Sequence, residues 1–233
     1  HKLSVLHDGI DTDTIRPQGV KDKALLASLA IPEDAQIITY IARNFEPIRG
    51  FVTIMEALPL ILSSCPKAHI IMVGSARGGY AGLPEGIKTW REFLEQNIEY
   101  DQSRVHWLGS LGYADYVQIL YLSDIHIYLT KPFVLSWSML EAMAAGCCLI
   151  SSATRPVLEI VEDGYNAALI DFYSAHHLVQ IVEKLLRSPE ERKYLSNNAR
   201  KTVEEKYSLR KILPLQIRLI EQVANCALPP DVH

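Results

Sequence analysis

Three charged side chains stand where an α/β chain could turn them toward a ligand: Arg43 and Arg49 in one strand-to-helix turn, and Glu141 in a helix further on. Arg43 and Arg49 enclose Asn44-Phe45-Glu46-Pro47-Ile48, and Gly50 follows. Two guanidiniums beside a glycine that lets backbone approach closely make a phosphate clamp. Two solvated surface arginines would have the same spacing. Glu141 falls in Ser138–Ala145, a run of good helix formers that stops at Gly146. A carboxylate in so apolar a segment needs a partner or a ligand hydroxyl, unless it merely complements the positive end of the helix. The residues before it, Lys131-Pro132-Phe133-Val134-Leu135-Ser136, form a loop leaving the apolar, β-branched run 124–130. The free N–H groups where such a loop enters a helix are a ready anion site.

Other candidates carry less. Asp11-Thr12-Asp13 is an acid-x-acid triplet that could hold a divalent metal between phosphates; turn capping by Asp and Thr is the alternative, favoured because no further carboxylates accompany it. His176-His177 has no Cys or carboxylate companions and reads as surface. His106 and His126 lie inside strands; His126, leading into the 131–136 loop, is the better placed, against the reading of a satisfied core histidine. No G-x-G-x-x-G follows the strand at 36–42, and Gly74-Ser75-Ala76-Arg77-Gly78-Gly79 has the wrong spacing. A phosphate-binding G-K-S/T and a G-x-S-x-G nucleophile elbow are both missing.

The elements that must position these residues alternate. Strands are predicted at 36–42, 68–74, 104–108, 124–130, 147–151 and 165–170, and a short apolar strand within 1–18. Helices are predicted from 51 to about 64, where Pro59 could kink or end the helix, and over 87–97, 113–122, 138–145 and 156–162. Three more follow: one around the stripe Leu178, Val179, Val182, Leu185 and Leu186, one from Ser188-Pro189, and one over 209–224. This alternation implies a Rossmann-like three-layer α/β sandwich on a parallel sheet with C-terminal helices. Ligands in such folds bind beyond the carboxyl ends of the strands. The strandless final 45 or so residues suggest helices that brace another domain, and the end at Leu228-Pro229-Pro230 reads as loose.

The totals narrow the function. The chain has 233 residues, 48% hydrophobic and 21% charged, enough for one large α/β domain. Its net charge of -4, with scattered Lys and Arg, offers no footprint for nucleic acid and no basic cluster for acidic lipid. No apolar run reaches the roughly 20 residues of a membrane span, so membrane contact is not supported. Because the chain opens on His1, a processed or truncated product is expected. Cys65, Cys147, Cys148 and Cys226 lack metal-ligand spacing and read as small buried residues of a reducing, cytoplasmic compartment.

Six blocks in order then resemble the C-terminal, donor-binding half of a family 4 (group 1) glycosyltransferase of GT-B fold. HDGIDTDTIRP resembles the family's interdomain segment and YIARNFEPIRGF its phosphate loop; HIIMVG and VHWLGSLGYADYVQILYLSDIHIYL follow its next strands; LEAMAAG is its signature helix start; VLEIVEDGYNAALI resembles its last strand block. The resemblance implies retaining transfer of a sugar from a nucleotide-diphosphate donor, with no metal and no other cofactor. It implies that Arg43 and Arg49 hold the β-phosphate, that Glu141 binds the ribose hydroxyls, and that backbone N–H groups of Val134, Leu135 and Ser136 face diphosphate and sugar. Gly50 belongs to the same loop, and Leu108, Gly109 and Leu111 would lie against the base. Residues 1–18 would be an interdomain segment, 19–206 the donor domain, and 207–233 a helix and tail packing back on the chain's own N-terminal acceptor-binding domain. Without that domain the fragment should turn over poorly.

The departures matter as well. Arg49 stands where Lys is usual. Phe133 replaces the first glutamate of the family's E-x7-E motif, which contacts the donor sugar; the glycine expected near Ser136 is missing; and Arg155-Pro156 replaces a Gly-Gly pair before Glu159. Two rival functions follow: a nucleotide-sugar epimerase of the same architecture, for which no catalytic acids can be placed, and a non-catalytic nucleotide-sugar-binding or scaffold domain, which the loss at 133 favours.

Overall fold

The computed structural model describes residues 5–77, 79–133 and 135–225. At its centre lies a sheet of six strands: β1 (Gln36–Asn44), β2 (Ala68–Ser75), β3 (Val105–Gly109), β4 (Ile125–Tyr128), β5 (Leu149–Ser152) and β6 (Ala168–Ile170). They are ordered β3-β2-β1-β4-β5-β6, and every pairing is parallel. All six occur where apolar, β-branched runs predicted them. The order reverses between β1 and β4, so the loops leaving those two strands diverge and open a crevice at their carboxyl ends.

Strand periodicity divides the core in two. Ile38 and Tyr40 of β1, Ile70 and Met72 of β2, Ile125 and Ile127 of β4, and Ile150 of β5 point to one face. There they meet α2 (Phe51–Ser64) and α7 (Ala175–Arg187), with α3 (Trp90–Glu95) at the margin. The alternate residues point the other way, toward α1 (Lys23–Ser28), α4 (Tyr113–Leu122), α5 (Trp137–Ala145), the short α6 (Arg155–Leu158) and α8 (Pro189–Lys206).

Several local outcomes differ from expectation. Pro59 does not end α2, which runs on to Ser64. A proline inside a helix costs about 3 kcal/mol, and burying Phe51, Ile54, Met55, Leu58, Ile61 and Leu62 at roughly 2 kcal/mol each outweighs it. The helix expected over 87–97 contracts to α3, because the Thr89 hydroxyl accepts from the Glu92 N–H at 3.0 Å and fixes the start. The strand expected near the N-terminus is not found among the described residues: Ile10 makes only an isolated parallel bridge to Ser208, bonded to Tyr207 O and Leu209 N. Residues 1–4, Cys226 and the Leu228-Pro229-Pro230 ending lie outside the described residues.

The last helix, α9 (Leu209–Ala224), is unlike the rest. Ile212 is its buried residue, and Leu213, Leu215, Ile217, Ile220 and Val223 are exposed. Its start is tied to the N-terminal segment by the Ile10 bridge, an Arg210–Asp13 ion pair at 2.7 Å and a Gln216–Asp8 hydrogen bond at 3.1 Å.

Candidate functional site

A cavity of about 660 Å³ opens at the β1/β4 reversal. It is floored by Tyr40, Ile41 and Ala42 of β1 and by Tyr128 and Leu129 at the end of β4, and walled by Arg43, Arg49, Leu135, Ser136, Trp137, Ser138 and Asp8. Both arginines and the loop before α5 thus border one space.

The two loops are locked together. The turn Pro47–Arg49 is a single 3-10 turn that ends at Gly50 with φ +74. A Cβ there would lie 2.3 Å from the Leu129 Cβ, so only glycine fits. The Lys131 N–H donates to Ile48 O at 2.9 Å, and the Tyr40 hydroxyl donates to Arg49 O at 2.9 Å. Burial pushes the Tyr40 pKa up, so it remains a phenol. The Arg49 guanidinium lies 4.9 Å over the Phe133 ring and reaches the Thr130 hydroxyl at 3.5 Å. Phe133 is 45% exposed, with Tyr80 at 6.1 Å centroid distance. Neither Arg43 nor Arg49 joins any ion pair among the described residues, so their charge is available to an anion.

The start of α5 is also available. Ser136 is its N-cap residue but bonds Ser138 Oγ at 2.8 Å instead of the helix backbone, and no acid lies in the first turn. The N–H groups and the positive end of the helix dipole therefore face the cavity with no acid of the helix's own first turn to neutralise them. Gly146, at φ +82, closes the helix. Val134, expected to contribute a backbone N–H, lies outside the described residues.

Glu141 is the fifth residue of α5, too far along to be an end-capping acid, and it is 9% exposed. It does find partners: Tyr113 donates to Oε1 at 2.8 Å and Tyr116 to Oε2 at 2.9 Å. Burial first, and then the carboxylate, raise both phenols' pKa values. The sequence reading missed these tyrosines. Their three-residue spacing on α4 puts both on one helix face, but nothing in the spacing says that Glu141 lies opposite. It missed Asp8 and Trp137 as well: the Trp137 indole N–H donates to Asp8 Oδ2 at 2.8 Å across the cavity mouth.

The remaining candidates separate. Leu111 lines a recess of about 260 Å³ together with Arg43, Gly74, Ser110 and Tyr116. Leu108, again with Leu111, faces a second hollow, of about 400 Å³, against Leu25 and Leu29 beside α1. Gly109, at φ +67, turns the chain between them. The carboxylates of the 11–13 triplet are occupied by turn and tether: Asp11 accepts from the N–H groups of Asp13 and Thr14 and from the Thr14 hydroxyl, which holds its pKa low, and Asp13 pairs with Arg210. His126 is a core residue, its Nδ1 2.8 Å from Thr39 Oγ1, with Nε2 lacking a partner among the described residues. His106 stacks on His69, 3.0 Å between ring nitrogens. His176 is exposed and meets Gln180. Cys65, Cys147 and Cys148 are buried free thiols. No helix of the described residues is long and apolar enough to cross a membrane.

Comparison with known proteins adds a family and a fold. Residues 21–202 match the family model described as glycosyl transferases group 1. The chain is 22% identical over 186 residues to a D-inositol 3-phosphate glycosyltransferase of Mycobacterium leprae, covering 80% of this chain and 41% of that protein. Sucrose-phosphate synthase of Thermosynechococcus elongatus superposes at a TM-score of 0.78 with 19% identity, over 95% of this chain and 53% of that one. Anabaena HepE, solved with UDP and glucose, gives a TM-score of 0.78 with 19% identity, over 94% of this chain and 56% of that one. The chain therefore spans about half the length of these proteins, or less.

Proposed function

The chain belongs to the group 1 glycosyltransferases, and from that premise we propose that it is the donor-binding domain of a retaining, metal-independent glycosyltransferase. Its substrate is a nucleotide-diphosphate sugar, and the sugar passes to an acceptor held by an N-terminal domain. One observation carries this reading: Arg43, Arg49 and the open start of α5 face a single cavity at the sheet's switch point. The likeness to HepE, which was solved with UDP and glucose, agrees with it.

The chemistry follows from charge. Breaking the anomeric C–O bond leaves positive charge on the sugar ring and negative charge on the departing diphosphate. Arg43, Arg49 and the α5 N–H groups form a fixed positive field for that leaving group, and one such donor typically contributes about 3 kcal/mol to lowering the barrier. Glu141 takes the ribose hydroxyls, Leu111 and Ser110 border the base, and Gly50 keeps the Arg49 loop against Leu129. In this reading residues 1–18 are the interdomain segment, 19–206 form the donor domain, and the exposed apolar side chains of α9 pack on the N-terminal domain. The buried thiols suit a reducing, cytoplasmic compartment.

Calorimetric titration with UDP, GDP, ADP and inorganic pyrophosphate tests the proposal. Arg49→Ala should weaken the preferred nucleoside diphosphate and pyrophosphate alike by about 30-fold, the loss of one charge-assisted contact. Glu141→Ala should weaken the nucleoside diphosphate and spare pyrophosphate. If Arg49→Ala binds as tightly as the parent, the clamp is wrong; equal losses for both ligands would remove Glu141 from the ribose. A scaffold role is the second reading, favoured by Phe133 and its stacking under Arg49; a scaffold would bind nucleotide, yet the full-length protein would transfer sugar from no donor.

A further inference from the structure

Glu141 does not line the main cavity. Both of its oxygens are already taken, one by each of two tyrosines that differ in their surroundings. Tyr116 is partly buried and packs against the core formed with Met139 and Leu140 of α5. Tyr113 is 59% exposed and is the first residue of α4, just after the loop Gly109-Ser110-Leu111-Gly112. The rings are 5.9 Å apart. Arg43 and Tyr116 both line one recess, so a ligand held by Arg43 that enters it lies beside the Tyr116 end of this pair.

The two phenols cannot be equally replaceable. Moving Tyr116 would open a gap in packed core. Moving Tyr113 needs only a rotamer change in an exposed side chain, a motion of picoseconds to nanoseconds. A carboxylate this buried cannot lose a donor without a substitute, and a sugar hydroxyl arriving at Oε1 is a like-for-like replacement for the phenol.

We propose that Tyr113 is a gate on Glu141: its hydroxyl holds the carboxylate oxygen that a ribose hydroxyl takes, and it swings aside when the nucleotide binds, while Tyr116 stays and aims the carboxylate. The proposal deepens the donor-site reading and rests on it. Tyr113 is thus a positioning residue whose presence weakens nucleotide binding. A closed gate favoured by about five to one lowers apparent affinity by about that factor.

The test is calorimetry on the parent, Tyr113→Phe and Tyr116→Phe with UDP, GDP and ADP, and with the 2′,3′-dideoxy form of whichever binds best. The parent should prefer the ribose form. Tyr113→Phe should bind that ribose form about fivefold more tightly and leave the dideoxy form unchanged, a split that a merely structural role would not produce. Tyr116→Phe should weaken the ribose form selectively. Tyr113→Ala, which removes the ring as well, should show the same sign as Tyr113→Phe. If the parent prefers ribose but Tyr113→Phe binds it no more tightly, the gate is overturned and the ribose role of Glu141 stands. If the parent binds no nucleoside diphosphate, or treats ribose and dideoxyribose alike, both fall together.

Discussion

Acid should destabilise this protein through one buried histidine of the sheet. His126 on β4 is fully buried, and burial alone holds its pKa at about 4, against 6.5 for a solvated ring. Its Nδ1 meets Thr39 Oγ1, which also meets Ser123 Oγ at 2.8 Å, while Nε2 has no partner among the described residues. The nearest acid in sequence, Asp124, is bound to Lys21 and to the Ile37 N–H and offers the imidazolium nothing. Between pH 6.5 and about 4 the unfolded chain binds this proton and the folded chain does not. Stability is therefore complete above the upper value and falls as pH drops through the window. At 1.36 kcal/mol per pH unit the loss from this one group is about 3 kcal/mol, a large share of the usual 5–15 kcal/mol. His69 and His106 are also held low by burial, so they add to the slope in the same direction. The measurement must therefore be differential. Urea unfolding of the parent and of His126→Leu, followed by circular dichroism from pH 7.5 to 4.0, should show the variant losing about 3 kcal/mol less across the range. Thr39 keeps Ser123 as a partner in the variant, so its fold survives. Identical pH dependence in the two chains would refute the reasoning.

Two further predictions concern the frame of the site. Gly50→Ala imposes a side chain at φ +74 and drives its Cβ to 2.3 Å from Leu129; strain and overpacking together should cost about 2–4 kcal/mol in urea unfolding, and pyrophosphate binding should weaken as the Arg49 loop shifts. Arg200→Ala removes a largely buried guanidinium that donates to the carbonyls of Thr12, Ile15 and Ala144; leaving those acceptors unpaired should cost about 2–3 kcal/mol, and proteolysis should then cut more readily near residues 12–16.

What the sequence made legible follows from what kind of pattern each feature leaves. The strand runs and the stripe of α7 are periodic, and burial enforces that periodicity, so strands and helices could be placed in advance, whereas the strand order that opens the crevice between β1 and β4 leaves no such pattern. The α4 and α9 boundaries agree with the structure to the residue, since Gly112 and Ser208 precede amphipathic helical runs, the second of which continues through Pro214. Of the N-terminal apolar strand, the described residues show only the Ile10 bridge, whose partner is a turn nearly two hundred residues away, a pairing that no local pattern announces. Within the site, Arg43 and Arg49 announced themselves by charge and by their junction. The phenols on Glu141 did not, since their role depends on how closely α4 packs on α5, and a tyrosine on a helix is ordinarily a core or boundary residue. Leu108 and Leu111 looked equivalent by spacing, yet they share one hollow beside α1 and only Leu111 of the two also borders the recess at Arg43.

The stitching between the loops after β1 and β4 has a kinetic consequence. One backbone hydrogen bond, Lys131 to Ile48, and one close packing contact, Gly50 on Leu129, bind those loops to each other, while Tyr40 of β1 holds the Arg49 carbonyl. The floor under the cavity is thus already in its final shape before anything arrives. A ligand landing there has no loop to recruit and little ordering entropy to lose. Rival anions should then arrive at similar rates and be told apart by how long each one stays.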